Sequence, residues 1–276
     1  MRLAVSADGI SFGEPISLLT PQEFDKGINL FSDTFSKLAG GLTLEGAVGG
    51  IAGVLDTTKE KLLRSPNLPD WERKPLRTKI KEVVVSELFL ENDAALVGLG
   101  EAVYGAGKGY KIVAYLTVST GVGGVRIVNG LIDAFTLGFE PGHQIIDADA
   151  TICPDCKRVI AQESFPGDLE DHISGAGLKK RFQMEPSQIS DPKVWDEAEK
   201  LLAYGLNNTI VHWSPEVVVL GGAIILEDRI SINKVKNYLS KILEIYPTQP
   251  EIKKAELGDK GGLWGALAYL KQIKQL

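Results

Sequence analysis

The chain has 276 residues, of which 44% are hydrophobic and 24% charged, so it is long enough for one large globular domain or two modest ones. Its formal net charge of -6 gives no electrostatic footprint for nucleic acid, and no apolar run of ~20 residues indicates a membrane span. A cytoplasmic protein without nucleic-acid or membrane partners is therefore expected.

The first residues are predicted to form a β-hairpin followed by a helix. Strands are expected over residues 2–7 and 10–19, separated by the turn dipeptide Asp8-Gly9. Thr20 has the character of a helix N-cap because Pro21 follows it, and apolar spacing continues the helix until Gly40 stops it. Residues 44–54 then form an apolar, glycine-rich strand and turn whose backbone approaches another group closely.

A buried strand is predicted to end in a polar cluster. After a helix over residues 75–80, the run 83–90 is β-branched and apolar throughout, as in a strand covered on both faces. It ends at Glu91, Asn92 and Asp93, and a helix over residues 94–104 follows. Open α/β sheets bind ligands at such strand ends. Asn92 or Asp93 would also serve as the cap of that helix, and the two roles overlap because a capping side chain can still reach a ligand.

Residues 115–128 are predicted to form a hairpin with a glycine-rich tip. One strand (115–118) enters the turn 119–124 (STGVGG) and a second (125–128) returns from it. Glycine lets backbone N–H groups approach a ligand closely, and the hydroxyls of Ser119 and Thr120 add donors, which together suit a phosphate. A plain hairpin that needs glycine only for its turn explains the same pattern, because a single Gly-rich turn is a weak signal.

The C-terminal half alternates helices and strands. Helices are predicted over residues 195–213, 232–245 and 261–276, and strands over residues 216–220 and 252–255. Strands that end at glycine and alternate with helices predict an α/β fold. Cys153 and Cys156 are the only cysteines, and their CxxC spacing indicates metal or redox chemistry rather than a disulfide framework.

Several short motifs follow one another in a specific order. They are residues 50–56 (GIAGVLD), 67–71 (NLPDW), 91–94 (ENDA), 119–124 (STGVGG), 140–143 (EPGH), 169–170 (LE), 215–222 (PEVVVLGG) and 258–266 (GDKGGLWGA). As a set they resemble the ROK family of sugar kinases and sugar-responsive repressors, although each motif alone is weak.

The resemblance implies a fold. It is an α/β, ribonuclease H-like (actin-like ATPase) two-lobed fold with mixed sheets flanked by helices. Residues 1–108 plus 262–276 would form the smaller lobe, and residues 109–261 the larger lobe that carries nucleotide- and sugar-contacting loops.

The resemblance also implies an ATP- and Mg²⁺-dependent hexose kinase, in which Asp93 takes the proton from a sugar hydroxyl. The sugar would be a glucose or an N-acyl hexosamine, bound as the lobes close, and the family suggests a homodimer. The implied sugar-binding residues are Gly53, Asn67, Asn92, Asp93, Glu140, His143 and Glu170. The implied nucleotide-binding residues are Ser119, Thr120, Gly121, Gly123, Gly221 and Gly222. A structural explanation exists for several of them, such as a core histidine at His143, a helix cap at Glu170 and a packing glycine at Gly222.

The chain departs from the family pattern in two places. Family kinases begin with a strand and an Asp-Gly-Gly-Thr-type phosphate turn, and we expect the full gene product to carry roughly ten more residues, one strand and a turn, before Met1. The family often holds a structural zinc, for which His143, Cys153, Cys156 and Asp168 are the candidate ligands here. A carboxylate is uncommon in a closed structural zinc site, and a redox CxxC pair is the alternative.

Two functions from other classes compete with the kinase. A sugar-sensing transcriptional regulator would need a helix-turn-helix, for which the chain as given has no room. A non-catalytic sugar-binding relative would keep Asp93 and lack nucleotide handling.

Overall fold

The computed structural model describes residues 1–84, 87–148, 152, 158–160, 163–165 and 167–274. The chain folds into two compact units. Unit 1 comprises Met1–Val103, Ala134–Gly138 and Asp259–Leu276, and unit 2 comprises Tyr104–Asp133 and Phe139–Gly258. Among the described residues, no helix has both the length and the apolar character needed to cross a membrane. The lobe limits given by the family resemblance stay a prediction.

Groups of strands and groups of helices follow one another along the chain. The strands are β1 (Arg2–Leu3), β2 (Ile16–Ser17), β3 (Ala47–Ile51), β4 (Val54–Leu55), β5 (Leu62–Arg64), β6 (Leu88–Asn92), β7 (Ile112–Val118), β8 (Val122–Val128), β9 (Leu131–Ile132), β10 (Arg158–Ile160), β11 (Glu163–Phe165), β12 (Val217–Gly221) and β13 (Glu251–Lys254). The helices are α1 (Phe24–Ala39), α2 (Leu76–Val84), α3 (Asp93–Tyr104), α4 (Leu169–Ile173), α5 (Gly175–Phe182), α6 (Pro192–Trp213), α7 (Ala223–Leu226), α8 (Ile232–Leu239) and α9 (Gly261–Lys274).

Unit 2 is built on a five-stranded sheet with the order β13-β12-β7-β8-β9. Strand β12 runs parallel to β7 and β13, and β7 pairs antiparallel with β8. All five residues of β12 are buried, as expected of a central strand covered on both faces. Alternate residues of β7 and β12 pack with α4, α6 and α8 in one hydrophobic core. This packing holds the carboxyl ends of β7 and β12 side by side, where two glycine-rich segments begin.

Unit 1 contains a parallel pair formed by β3 and β6, with Gly50 opposite Glu91 and Ile51 opposite Asn92. Apolar residues of α1, α2, β6 and the 3₁₀ turn Pro69–Trp71 form a core around Trp71 and Leu76. Helices α3 and α9 come into backbone contact, since a Cβ atom on Gly100 would lie 2.5 Å from Gly261 O. The end of β6 is therefore packed from several directions, which fixes the start of α3.

The helix start predicted at Thr20 is wrong. Helix α1 begins at Phe24, and its N-cap residue Glu23 makes no side-chain capping bond. The Phe24 N–H instead donates to Asp70 Oδ2 at 2.9 Å, from a turn 46 residues away along the chain. A tertiary contact thus replaces the local cap that the Thr-Pro pair suggested. The predicted stop at Gly40 is confirmed, because Gly40 has φ +54° and its N–H bonds to Ser36 O.

Three predicted element limits also differ from the structure. The run 83–90 is not one strand, because α2 continues to Val84 and β6 begins at Leu88. The expected strands 2–7 and 10–19 are limited to the short pair β1 and β2. Helix α8 ends at Leu239 rather than at residue 245, although Leu243 is still buried. The apolar spacing that predicted a longer helix therefore reflects residues that are buried after the helix has ended.

Candidate active site

Asn92 and Asp93 lie where β6 ends and α3 begins in unit 1. Asn92 Oδ1 accepts a hydrogen bond from Ala95 N at 3.1 Å, and Asn92 Nδ2 donates to Gly53 O at 3.1 Å. Asn92 therefore caps α3 and also ties the Gly53 loop to it, so the capping role considered from the sequence is present. A Cβ atom on Gly50 would lie 3.3 Å from Asp93 Cα, which explains why a small residue precedes that loop.

Asp93 is an exposed residue at the start of α3, and protein atoms surround its carboxyl group on the other sides. This desolvation raises the pKa of Asp93, while a hydrogen bond from Ala94 N, at 2.9 Å from Oδ1, acts in the opposite direction. A raised pKa makes the carboxylate a better proton acceptor near neutral pH, and exposure leaves it accessible to a hydroxyl group. The side chain can therefore act as a general base.

Gly53 and Asn67 belong to loops of unit 1, and Gly53 O accepts from Asn92 Nδ2. Gly53 has φ +120°, and a Cβ atom there would lie 2.9 Å from Ser65 Cβ. The close backbone approach that the sequence predicted is thus to residues of the same unit, and Ser65 Oγ fixes it by donating to Ala52 O at 2.8 Å. Asn67 is exposed, just before the 3₁₀ turn Pro69–Trp71.

The glycine-rich turn of unit 2 is shorter than predicted. It comprises Ser119, Thr120 and Gly121, with Ser119 N donating to Gly121 O at 2.9 Å, whereas Gly123 and Gly124 lie inside β8. A Cβ atom on Gly124 would lie 2.7 Å from Pro141 Cγ, so this glycine is required for packing rather than for a turn. Of the predicted phosphate turn, the residues that form the tip of the β7–β8 hairpin include the two with hydroxyl groups, Ser119 and Thr120.

Neighbouring segments hold this turn from behind. Glu170 Oε2 accepts from Val122 N at 2.8 Å, and a Cβ atom on Gly121 would lie 2.6 Å from the same oxygen. Gly175 N, at the start of α5, donates to Ser119 O at 2.7 Å. Glu170 therefore faces the turn and fixes its backbone. A residue predicted to bind sugar is thus in contact with the turn predicted to bind the nucleotide.

Glu140 precedes the 3₁₀ turn Pro141–His143 and His143 ends it, close to Glu170 and Asp168. His143 Nδ1 is 2.7 Å from Asp168 Oδ2. This hydrogen bond raises the pKa of His143; burial opposes it, and the negative charges of Asp168, Glu170 and Glu140 add to it. A cluster of carboxylates around a half-exposed histidine offers several acceptors and a donor to polyhydroxyl ligands.

Two of the four candidate zinc ligands can be located. His143 and Asp168 are adjacent, as two ligands of one ion would be, but they bond to each other, and Asp168 Oδ1 also accepts from Asp171 N as the N-cap of α4. Cys153 and Cys156 lie outside the described residues. Among the described residues, no group of three His, Cys, Asp or Glu side chains could hold a metal ion. The located ligands fit a zinc site only in part.

Gly221 ends β12 and Gly222 follows it, at the same end of the sheet as the turn after β7, because Gly221 is paired with Thr117. Gly222 has φ +87°, and a Cβ atom there would lie 2.6 Å from Thr117 Oγ1. A Cβ atom on Gly221 would lie 2.5 Å from Tyr115 Oη. Packing explains both glycines, and their position beside the Ser119–Gly121 turn also fits a ligand at the carboxyl ends of the strands.

Sequence reasoning gave no role to His172, which is fully buried in α4. Neither of its ring nitrogens has a hydrogen-bond partner among the described residues, and Asp147 Oδ2 is 3.9 Å from Nε2. Burial, followed by the nearby charge of Arg181, lowers the pKa of His172. The only sequence signal was its position between the apolar Leu169 and Ile173, which points to the core.

We expect His172→Leu to raise the free energy of unfolding by about 1 kcal/mol, because it removes buried polar atoms that have no hydrogen-bond partner in the described part of the chain. The lowered pKa adds a pH dependence with a definite sign. Below the ordinary histidine value of 6.5 the unfolded chain binds a proton that the folded chain does not, so acid destabilises the wild type. The variant should lose this part of the acid destabilisation. Urea titrations of both proteins at about pH 7.5 and about pH 5.5 test this. The stability advantage of the variant over the wild type should be larger at the lower pH, and a smaller advantage there would contradict the prediction.

Comparisons with known proteins give one consistent result. The family model described as "ROK family" matches residues 20–273. The glucokinase of Thermotoga maritima is 25% identical over 247 residues, which cover 81% of this chain and 78% of the relative. An N-acetyl-D-glucosamine kinase of Yersinia pseudotuberculosis is 30% identical over 243 residues, covering 81% and 79%.

Among solved structures, the ROK hexokinase of Thermus thermophilus superposes with a TM-score of 0.81 at 26% identity. The match covers 100% of this chain and 96% of that one. The fold class predicted from the sequence, α/β with the ribonuclease H-like (actin-like ATPase) fold, is confirmed by this likeness and by the mixed sheet of unit 2.

Proposed function

The chain belongs to the ROK family, and from that premise we propose that it transfers a phosphoryl group from ATP to a hydroxyl group of a hexose. The observation that carries the proposal is the placement of Asp93. Its carboxylate lies at the end of a buried parallel strand, is accessible to solvent, and has a raised pKa. A group with these properties suits the general base of a phosphoryl transfer.

In the proposed reaction Asp93 accepts the proton of one sugar hydroxyl. The oxygen of that hydroxyl attacks the γ-phosphorus, the bond from phosphorus to the bridging oxygen breaks, and ADP leaves with the bonding electrons. Because little covalent chemistry falls to the protein, its contribution is positioning and charge stabilisation. Asn92 contributes by fixing the start of α3 and the Gly53 loop.

Residues of unit 2 are proposed to bind the two substrates. The hydroxyls of Ser119 and Thr120 and the backbone of Gly121 would contact phosphate, with Gly123 behind them in β8 and magnesium arriving bound to ATP. Gly221 and Gly222 would lie against the nucleoside. Glu140, His143 and Glu170 would bind sugar hydroxyls, because carboxylates and imidazole offer paired acceptors and a donor. Gly53 and Asn67, which belong to unit 1, stay proposed sugar-binding residues.

The proposed substrates are glucose or an N-acyl hexosamine, as in the two relatives described above. A coupled ADP-release assay with a panel of hexoses, together with calorimetry of sugar binding, tests the proposal. ADP release that depends on one of these sugars supports it. Sugar binding without ADP release would favour a non-catalytic relative or a sugar-sensing regulator instead.

A substitution at Glu170 tests the proposed sugar contacts. Glu170→Gln keeps an acceptor for Val122 N and removes the negative charge. We expect the hexose KM to rise about 10- to 100-fold, the loss typical of one charge-assisted hydrogen bond, while the KM for ATP changes little. Glu244→Gln, at an exposed position in the same unit, is the matched control. An unchanged hexose KM in Glu170→Gln would remove this residue from the sugar site.

Zinc, the homodimer and the cytoplasmic location stay predictions. Zinc has no step in the proposed mechanism. His143 and Asp168 are hydrogen-bonded to each other, and Asp168 caps α4. If His143, Cys153, Cys156 and Asp168 do bind zinc, the ion would be a structural element of unit 2. Metal analysis of the purified protein decides this point.

A further inference from the structure

An ion pair with a buried carboxylate lies directly before the proposed base. The side chain of Glu91 is only 3% exposed, that of Lys59 is 32% exposed, and Glu91 Oε2 pairs with Lys59 Nζ. Glu91 is the residue of β6 that precedes Asn92, and its Oε1 atom accepts from Asn92 N at 3.3 Å. The Lys59–Glu91 pair is therefore connected, through one side chain and one backbone bond, to the segment that carries Asp93.

The backbone of Lys59 is held rigidly in a hairpin turn between β4 and β5. Lys59 has φ +55°, an unfavourable value for a lysine, and its N–H donates to Asp56 O at 2.8 Å. Asp56 Oδ1 accepts from Glu60 N at 2.7 Å, and Asp56 Oδ2 accepts from Thr58 Oγ1 at 3.0 Å. This closed turn fixes the backbone position from which the lysine side chain reaches Glu91, so the hairpin backbone need not be ordered when the pair forms.

Two aromatic side chains lie near the ammonium group. The ring centre of Phe135 is 5.4 Å from Lys59 Nζ, and burial raises the pKa of Tyr269 in α9 while the positive charge of Lys59 opposes that rise. Phe135 lies in the segment Ala134–Gly138, which packs in unit 1 although it is far from β6 along the chain. Lys59 thus joins the hairpin turn, the start of α3, helix α9 and this segment at a single point.

Stability alone is a weak explanation for such a group. A buried ion pair costs desolvation free energy that its Coulomb attraction barely repays, and apolar replacements are often as stable or more so. What a buried pair does supply is geometry, because each charge accepts only the correct partner at the correct place. Here the geometry is that of the backbone leading into Asn92 and Asp93.

We propose that Lys59 is a positioning residue for this site, holding the segment Glu91–Ala94 so that the Asp93 carboxylate meets its substrate hydroxyl. The inference rests on the proposed kinase function, because the role of Asp93 does. It adds Lys59, Glu91 and Tyr269 to the machinery, none of which the sequence motifs assigned a role.

The test compares four variants of the full chain: Lys59→Met, Lys59→Arg, the double change Lys59→Met with Glu91→Gln, and the exposed control Lys74→Met. Steady-state kinetics with the active hexose give kcat and both KM values. Because small displacements of a reacting group cost large factors, we expect Lys59→Met to lower kcat by about tenfold or more, with the KM for ATP within about twofold. Lys59→Arg should retain activity within about threefold, and Lys74→Met should match the wild type.

The double variant separates positioning from stability. It removes both charges of the pair and leaves no buried carboxylate unpaired, so its Tm should return to near the wild-type value, while kcat stays low because residue 91 is no longer tied to residue 59 of the hairpin turn. Recovery of kcat together with Tm would overturn the proposal, as would a Lys59→Met enzyme with wild-type kcat.

Amide hydrogen exchange on the substrate-free protein gives a second readout that does not depend on turnover. The amides of residues 92–94 should exchange about tenfold faster in Lys59→Met than in the wild type or in Lys74→Met. If no hexose of the panel causes the wild type to release ADP, the proposed function fails. The exchange rates still test whether Lys59 holds residues 92–94. Unchanged exchange at these amides would overturn it.

Discussion

Replacing Asp93 with asparagine is expected to lower kcat for hexose phosphorylation by about 10²- to 10⁴-fold, the usual contribution of a positioned general base. Asparagine keeps the shape of the side chain and an oxygen that accepts from Ala94 N, so α3 should still begin at residue 93. The hexose KM should change by no more than a few fold, because the substitution removes proton transfer rather than sugar contacts. Stopped assays with coupled ADP detection measure both constants.

The control for this change is Asp33→Asn, at an exposed position of α1 in the same unit. It should leave kcat, KM and Tm unchanged. The pH profile of the wild type offers a further check, since a base is active only when deprotonated. Because the pKa of Asp93 is raised, activity should disappear on acidification at a pH above the ordinary aspartate range. ADP release that survives in Asp93→Asn refutes the assignment of the base.

The sequence predicted best where local pattern and tertiary burial agree. The helix predicted over residues 195–213 is α6, extended to Pro192 because Asp191 accepts from Lys193 N and caps it earlier. The predicted hairpin is β7–β8, and the predicted strand 216–220 is β12 shifted by one residue. Each of these elements combines a strong period with clear ends, so no distant contact is needed to place it.

The predictions failed where a distant part of the chain supplies the deciding group. The cap of α1 comes from Asp70, which no pattern near Thr20 reveals. The glycines of residues 119–124 were all assigned to a turn, yet Gly124 is glycine because Pro141 packs on it. A glycine excluded by packing and a glycine required by a turn are identical in sequence, so only the fold distinguishes them.

The candidate site shows the same division. The motif at residues 91–94 correctly directed attention to a strand end, and the structure adds that Asn92 acts on both α3 and the Gly53 loop. The partner of Glu91 could not be predicted, because Lys59 lies 32 residues away and reaches it through a left-handed turn residue. Burial of a glutamate within an apolar strand end was the available signal for such a partner.

A different glycine in unit 1 gives the second large expected effect. Gly265 of α9 faces α3, and a Cβ atom there would lie 3.0 Å from Leu96 Cα and overlap the Leu96 carbonyl oxygen. A backbone carbonyl cannot move aside as a side chain can, so α9 would have to shift away from α3. We expect Gly265→Ala to lower the free energy of unfolding by about 3 kcal/mol, at the upper end of typical overpacking costs. Urea denaturation, with the midpoint and slope compared to wild type, measures the change.

The same helix offers a control with identical chemistry. A Cβ atom on Gly262 would meet nothing nearer than Val97 Cγ2 at 3.7 Å, which is ordinary van der Waals contact. Gly262→Ala should therefore leave stability unchanged or raise it by up to about 1 kcal/mol, because alanine loses less backbone entropy in a helix. Opposite signs for two Gly→Ala changes three residues apart follow only if α3 and α9 are in backbone contact at Gly265 and not at Gly262. Equal effects of the two substitutions would show that the helices do not approach as described.

Because α3 begins at Asp93, a shift of α9 should also reach the proposed base, so kcat should fall with stability in Gly265→Ala and stay constant in Gly262→Ala.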